Sequence, residues 1–280
     1  MNRYRMIIDV AKCENCNNCF LSCKDEHCGN DWPGYAASQP LHGQRWMNIH
    51  RRERGQFPLI DVAYRPAPCM HCEEPACLAA AENGAVVKRD DGIVLIDPER
   101  ASGQKSLVKS CPYGAIWWNE EREIPQKCTF CAHLLDSADW QEPRCVQACP
   151  TGALSFVSID DDAMAQLVAQ ENLQAPPGGG AGTTAVYYKN LYRFDACFIA
   201  GSIATGNADF SECAVGVTVE LLDKEQKVMT VQSDDFGDFK FDGLKNDNGR
   251  YLVVIRPENG AERQIEVHLT TSRTLETVWI

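Results

Sequence analysis

Thirteen of the fifteen cysteines lie within the first 149 residues, and twelve of these are spaced as thiolate ligands to iron rather than as disulfide partners. Cys13, Cys16, Cys19 and Cys23 are separated by two, two and three residues, the run that supplies three thiolates to one cubane 4Fe-4S cluster and the fourth to another. Cys69, Cys72 and Cys77 form a second group and Cys111, followed by Pro112, a third. Cys128, Cys131, Cys145 and Cys149, the last followed by Pro150, form a fourth. Twelve thiolates suffice for three 4Fe-4S clusters at four ligands each.

Internal repetition locates the positions where ligands are missing. When Ile8-Asp9-Val10-Ala11-Lys12-Cys13 is set on Ile96-Asp97-Pro98-Glu99-Arg100-Ala101, Cys16 falls on Gln104, Cys19 on Leu107 and Cys23 on Cys111. When Cys145-Val146-Gln147-Ala148-Cys149 is set on Cys77-Leu78-Ala79-Ala80-Ala81, Cys149 falls on Ala81. If each motif gives its last cysteine to the partner motif's cluster, three sets emerge. They are Cys13, Cys16, Cys19 and Cys149; Cys23, Cys128, Cys131 and Cys145; and Cys69, Cys72, Cys77 and Cys111. A fourth set falls on Ala81, Ala101, Gln104 and Leu107 and lacks every ligand. The pattern is that of a four-cluster scaffold from which one whole cluster has been removed.

Structural zinc on Cys128, Cys131, Cys145 and Cys149 is the competing chemistry. Ferredoxin spacing and Cys-Pro endings across twelve residues favour iron. A chain of 280 residues has little need of disulfide staples, and thiolates that bind iron must stay reduced. Cys28, Cys197 and Cys213 stand outside the sets and are read as small buried hydrophobes, with a minor ligand role open for Cys28.

The elements that must position these ligands fit an α+β fold in three parts. Residues 1–158 read as two interleaved ferredoxin-like units. In each, a last ligand leads through a Pro-x-Gly turn into a short apolar strand, at 111–118 and again at 149–156. Strands around Val87 and Val94 flank Arg89-Asp90-Asp91 as a hairpin. Loop-rich units of this kind bury little apolar surface, so iron is expected to supply much of their folding free energy.

Residues 159–195 hold a helix over 160–173, opened by Asp160, Asp161 and Asp162, then a Pro/Gly linker over 175–182. The stretch Tyr187 to Phe194 follows, either a buried aromatic strap or a strip for a partner. Residues 196–280 switch to period two, with Val215, Val217, Val219 and Leu221 and then Ile265, Val267 and Leu269 alternating with small or polar residues. Turn signals at 223–224, 235–237, 247–249 and 258–260 complete an antiparallel β-sandwich.

Formal charge is −12 and falls to about −18 once thiolates and cubane cores are counted. That charge disfavours nucleic acid as a partner. The local basic stretch, Arg45 and then His50 to Arg54, is either a solvated face or an offset to cluster or partner charge. No run approaches the roughly 20 apolar residues of a membrane span. The amino terminus enters a strand without an export segment, so a cytoplasmic location is expected, although a partner's signal could carry the folded chain across a membrane.

The four-motif layout resembles the electron-transfer subunits of molybdenum oxidoreductases of the dimethyl sulfoxide reductase family over residues 1–158. Nearly the whole chain resembles more closely the small subunits of pyrogallol-phloroglucinol transhydroxylases. The segments that carry this likeness are Arg45-Trp46-Met47-Asn48-Ile49, Pro68-Cys69-Met70-His71-Cys72-Glu73, Gln126-Lys127-Cys128-Thr129 and Val186 to Phe194. The stretch from Ser233 to Phe241 resembles the Thr-Asp-x-x-Gly-x-Phe-x-Phe element of transthyretin-like and carboxypeptidase-regulatory-like domains.

The resemblance implies a large catalytic subunit carrying molybdenum on two pterin guanine dinucleotides, with no catalytic residue in this chain. It implies no membrane subunit, because the absent cluster lies at the membrane end of the wire in four-cluster relatives. Two other readings are a related aromatic-ring hydroxylase or reductive dehydroxylase and, in a different class, a free polyferredoxin. The carboxy-terminal domain and aromatic strip, surfaces suited to docking, disfavour the polyferredoxin.

Overall fold

The run Met6-Ile7-Ile8 is apolar and buried throughout, as a strand paired on both edges and covered on both faces requires. It lies in β1 (Arg3–Asp9). After it come α1 (Asn18–His27), the paired strands β2 (Asn48–Gln56) and β3 (Leu59–Ala67), α2 (Ala76–Ala80), β4 (Val86–Lys88) and β5 (Val94–Ile96). The chain continues through α3 (Ser106–Ser110), β6 (Trp117–Asn119), β7 (Ile124–Gln126), α4 (Ala132–Leu135), α5 (Arg144–Gln147), β8 (Leu154–Ile159), α6 (Asp161–Glu171) and β9 (Val186–Lys189).

The computed structural model describes residues 1–137, 140–178, 183–206, 211–245, 249–258 and 260–280. Residues 179–182 of the expected linker lie outside these, as do Asp247, Asn248 and Asn259 of two expected turns. The chain divides into one unit of Met1–His50 with Tyr64–Leu191 and another of Arg51–Ala63 with Tyr192–Ile280.

In the first unit β1 sits between β8, antiparallel, and β9, parallel. Tyr187 and Tyr188, half of the expected aromatic strap, are therefore buried strand residues, and the Tyr188 hydroxyl donates to the Pro66 carbonyl at 2.9 Å. The β4–β5 hairpin forms where the sequence places it, with Val86 opposite Ile96. α6 starts at an Asp160 cap whose carboxylate accepts from the Ala163 N–H.

The internal repeat holds at the level of single hydrogen bonds. Asp9 Oδ1 accepts from the Ala11 N–H and Asp97 Oδ1 from the equivalent Glu99 N–H, both at 2.9 Å. Asn18 and its counterpart Ser106 each open a helix. Leu154 and its counterpart Val86 each open a strand, after Gly152 and Gly84 at φ of 62° and 64°. Glycine takes this left-handed conformation without a Cβ penalty.

The second unit adds α7 (Tyr192–Asp195), β10 (Cys197–Gly206), β11 (Ser211–Cys213), β12 (Thr218–Asp223), β13 (Gln226–Gln232), β14 (Asp238–Leu244), β15 (Gly249–Arg256), β16 (Arg263–Leu269), β17 (Arg273–Thr274) and β18 (Val278–Trp279). One sheet runs β13-β12-β15-β16, antiparallel throughout. The other is built on β10, which pairs antiparallel with β11 and β14 but parallel with β17 and β18. The expected wholly antiparallel arrangement is thus corrected to one antiparallel and one mixed sheet, because the carboxy-terminal segment runs along β10 in the same direction. Both sheets feed one core that includes Ile199, Phe241, Val219, Leu221, Val253 and Leu269.

The alternation from Val215 is also shorter than the sequence suggests. Val215 is exposed in a turn and the strand begins at Thr218. The buried Ser233 hydroxyl donates to the Ala214 carbonyl at 2.6 Å and accepts from the Val217 N–H at 2.9 Å, and with the Ser233 backbone, bonded to Gly216 and Val217, it holds this turn. Cys197 is buried in the core as expected. Cys213 is exposed on the short strand β11, where it has no core to enter, and Cys28 is half-buried with its thiol donating to the Pro40 carbonyl at 3.6 Å.

Candidate functional site

Cys13, Cys16, Cys19 and Cys149 line one cavity with Ile49, Pro66 and Leu154. Two asparagines make the tight cysteine spacing possible: Asn15 and Asn17 adopt left-handed φ of 57° and 62°, which turns the chain around the cavity before α1 starts. Arg45, from the basic stretch, donates to Asn17 Oδ1 at 3.2 Å and lies over the Phe20 ring at 4.1 Å. Cys19 is buried and Cys16 is exposed. Burial, with Cys13 beside it, pushes the Cys19 thiol up to about 12.

Cys23, on α1, faces Cys128, Cys131 and Cys145, and all four are buried. α1 packs against α5, which carries Cys145. Phe130 and Cys131 take left-handed φ of 52° and 51°, so the Phe130 N–H turns back to Cys128 Sγ at 3.4 Å. Gln39 donates to the Cys23 carbonyl at 3.2 Å and approaches its Sγ at 3.9 Å. His27 Nε2 lies 3.9 Å from Cys131 Sγ. Burial, and then His133, brings His27 down to about 3, so its imidazole is neutral. Burial pushes Cys128 to about 11 and Cys131 to about 12.

Cys69, Cys72, Cys77 and Cys111 line a second cavity with Val94, Tyr113, Ile116 and Lys127. Cys77 lies on α2 and Cys111 caps α3. The Ala115 N–H donates to Cys111 Sγ at 3.4 Å. His71, between two of the cysteines, accepts from the Val94 N–H at 2.9 Å and lies 3.8 Å from the Phe130 ring. Burial, with the cysteines around it, pushes Cys72 up to about 12.

The fourth set is closed. Ala101 and Leu107 are fully buried in an apolar cluster with Ala85, Val86, Val94, Ile96 and Ile116, and Ala81 packs against it. Gln104 is half-buried and hydrogen-bonds to the backbone of Glu82 and Arg100. Carbon and one amide take up the space that four thiolates hold elsewhere.

These donor sets fit cubane clusters. Each offers four soft thiols from two separated segments, with backbone N–H groups directed at sulfur. Among the described residues no three His, Cys, Asp or Glu side chains converge on a single-ion site, and the four thiols surround a space instead. Raised thiol pKa values mean that ligation must displace protons, so iron binding and folding are coupled.

Gln39, His27, His71 and Lys127 were not singled out by sequence reasoning. His71 and Lys127 lie inside or beside the cysteine motifs, a signal that was available. Nothing in the sequence distinguishes Gln39 or His27. Of the basic stretch, Arg54 turns inward within the second unit, where it pairs with Asp61 and, at 2.9 Å, with Asp242.

Residues 60–159 match the family described as 4Fe-4S dicluster domain. The chain is 49% identical to the pyrogallol hydroxytransferase small subunit of Pelobacter acidigallici over 91% of both chains. It is 34% identical to a subunit of the sulfite dehydrogenase of Allochromatium vinosum, over 58% of this chain and 71% of that one. It is 32% identical to a component of the anaerobic dimethyl sulfoxide reductase of Escherichia coli, over 57% of this chain and 75% of that one.

Proposed function

The chain belongs to the family of pyrogallol hydroxytransferase small subunits, and from that premise we propose that it is the iron-sulfur electron-transfer subunit of a molybdenum enzyme converting pyrogallol to phloroglucinol. In this reading three clusters are held, on Cys13, Cys16, Cys19 and Cys149, on Cys23, Cys128, Cys131 and Cys145, and on Cys69, Cys72, Cys77 and Cys111. The observation that carries it is the exchange itself. Cys149 lines the cavity of Cys13, Cys16 and Cys19, and Cys111 that of Cys69, Cys72 and Cys77.

A bound 4Fe-4S cluster supplies reversible one-electron chemistry. The chain's own residues bind it through thiolates, exclude water by burying Cys23, Cys128, Cys131 and Cys145, and direct the Phe130 and Ala115 N–H groups at ligand sulfur. No residue here acts on the phenol. Molybdenum on two pterin guanine dinucleotides belongs to a large partner subunit, where hydroxyl transfer takes place.

The apolar closure around Ala101 and Leu107 supports a wire that does not extend to a membrane subunit. No helix among the described residues is long and apolar enough to cross a membrane. A cytoplasmic location belongs to the proposal and follows from the family reading, not from that absence. In this reading residues 1–158 carry the double ferredoxin-like motifs, 159–195 complete that unit's sheet through β9 before leading on, and 196–280 form a transthyretin-like or carboxypeptidase-regulatory-like sandwich that docks or stabilises.

Native co-purification with quantification of iron and molybdenum tests this reading. About twelve irons per chain, a molybdenum-bearing large subunit and phloroglucinol formation from pyrogallol are expected. Full metal content without that activity would redirect the assignment to another aromatic-ring enzyme.

A further inference from the structure

Among the described residues Lys127 is the only buried lysine, 2% exposed. Its ammonium donates to two backbone carbonyls, those of Val94 and, at 3.1 Å, of Cys128. Carbonyl dipoles solvate a charge only partly, and a buried cation without a counter-charge is costly. The neighbouring His71 imidazole is engaged elsewhere, with its Nδ1 accepting from the Val94 N–H at 2.9 Å.

The position of Lys127 supplies the missing counter-charge. It lines the cavity ringed by Cys69, Cys72, Cys77 and Cys111, and it directly precedes Cys128 of the neighbouring set. Lys127 thus borders the first set through the cavity wall and touches the second through its bond to the Cys128 carbonyl, so its charge lies between the two. The cavity of Cys13, Cys16, Cys19 and Cys149 is lined by no Lys or Arg among the described residues, and Glu14 is part of its wall.

We propose that Lys127 is a shared counter-charge between the set Cys69, Cys72, Cys77, Cys111 and the set Cys23, Cys128, Cys131, Cys145, and that it raises the reduction potentials of both clusters together. The physical reason is that an added electron increases negative charge on a cluster, and a fixed cation in a water-excluded interior stabilises that increase far more than one in solvent does. Lys127 is a positioning residue: it touches no reacting atom and acts through ligand charge. Neither net charge nor cluster count predicts this coupling of two potentials. The inference rests on the cluster assignment above.

The test compares the native complex with its Lys127→Gln, Lys127→Met and Lys127→Arg forms by iron quantification and by redox titration followed with electron paramagnetic resonance. Gln keeps a donor to the two carbonyls and removes the charge. With iron content retained, Lys127→Gln and Lys127→Met are expected to shift two midpoint potentials downward and leave the third nearly in place, while Lys127→Arg stays near the wild type. Loss of iron in both neutral variants with retention in Lys127→Arg would also support a charge requirement. Full iron with all three potentials unmoved, or with all three moved equally, would overturn the proposal while leaving the cluster assignment intact. A native complex without iron would instead defeat the cluster assignment.

Discussion

Gln104 and Glu82 are joined through both ends of one amide: Gln104 Oε1 accepts from the Glu82 N–H at 3.0 Å, and Nε2 donates to the Glu82 carbonyl at 3.2 Å. Each residue marks a ligand position or its immediate neighbour in the set that lacks cysteine. Nε2 also reaches the Arg100 carbonyl at 2.8 Å, so one side chain ties together the two segments that a cluster ties elsewhere. Beneath it, Leu107 and Ala101 fill the interior.

Leu107→Ala is accordingly expected to destabilise the protein by about 3 kcal/mol through a buried cavity, and Gln104→Ala by about 1 kcal/mol. Denaturant titration of the iron-loaded protein measures both. Ala81→Cys adds one thiol to a site lacking three more and leaves the iron content unchanged; additional iron in that variant would refute the closed-site account.

Cys111→Ser removes the ligand that arrives from a separate segment at the cavity of Cys69, Cys72 and Cys77. One paramagnetic signal is expected to be lost or altered, with the other two retained. A variant with all three signals intact would contradict the interleaved pairing.

Arg54, its side chain 1% exposed, forks onto Asp242 at 2.9 and 3.0 Å and also meets Asp61. Burial alone would raise the Asp61 carboxyl, but Lys240 and Arg54 outweigh it and bring its pKa down to about 2. A depressed carboxyl contributes stability in full above its unfolded pKa, near 4, and loses it as pH falls through the folded value. Protection of the β10 and β14 amides from hydrogen exchange should therefore weaken between about pH 4 and pH 2, by roughly 2 kcal/mol. Arg54→Met, which leaves two half-buried carboxylates with Lys240 and Arg193 but without their buried partner, is expected to cost about 2 kcal/mol at neutral pH. Unchanged protection in either experiment would remove Arg54 from the stability of this unit.

Chelation of iron is expected to abolish exchange protection of β1, α1 and α5 while β12, β15 and β16 keep theirs. The first group surrounds thiols that need metal to hold their places, and the second has an apolar core of its own. Uniform loss of protection along the chain would show that the second unit depends on iron as well.

The meeting of Cys149 with Cys13, Cys16 and Cys19, that of Cys111 with Cys69, Cys72 and Cys77, and the apolar fourth position were legible because a repeat carries its own internal control: once Asp9 falls on Asp97, every later position is fixed by counting. Arg54 was not legible, since a charge among charges reads the same whether it faces water or Asp242. Val215 continued an alternation that the structure breaks, because the Ser233 hydroxyl that holds the turn lies far along the chain. The parallel pairing of β17 and β18 on β10 rests on strands of two residues, too short to leave a periodic signature. Gln39 and His27 reach sulfur from elements that no motif marks.

On the proposed cluster assignment, interleaving also sets a timetable for synthesis. Cys69, Cys72, Cys77 and Cys111 are all available once the nascent chain has passed Cys111, so that set can be loaded while translation is still under way. Cys13, Cys16 and Cys19 leave the ribosome first, yet their cavity is completed only by Cys149, and Cys23 must wait for Cys128, Cys131 and Cys145. The earliest thiols made are therefore among the last to be closed in. An anaerobic interior or an escorting factor during that interval would protect them.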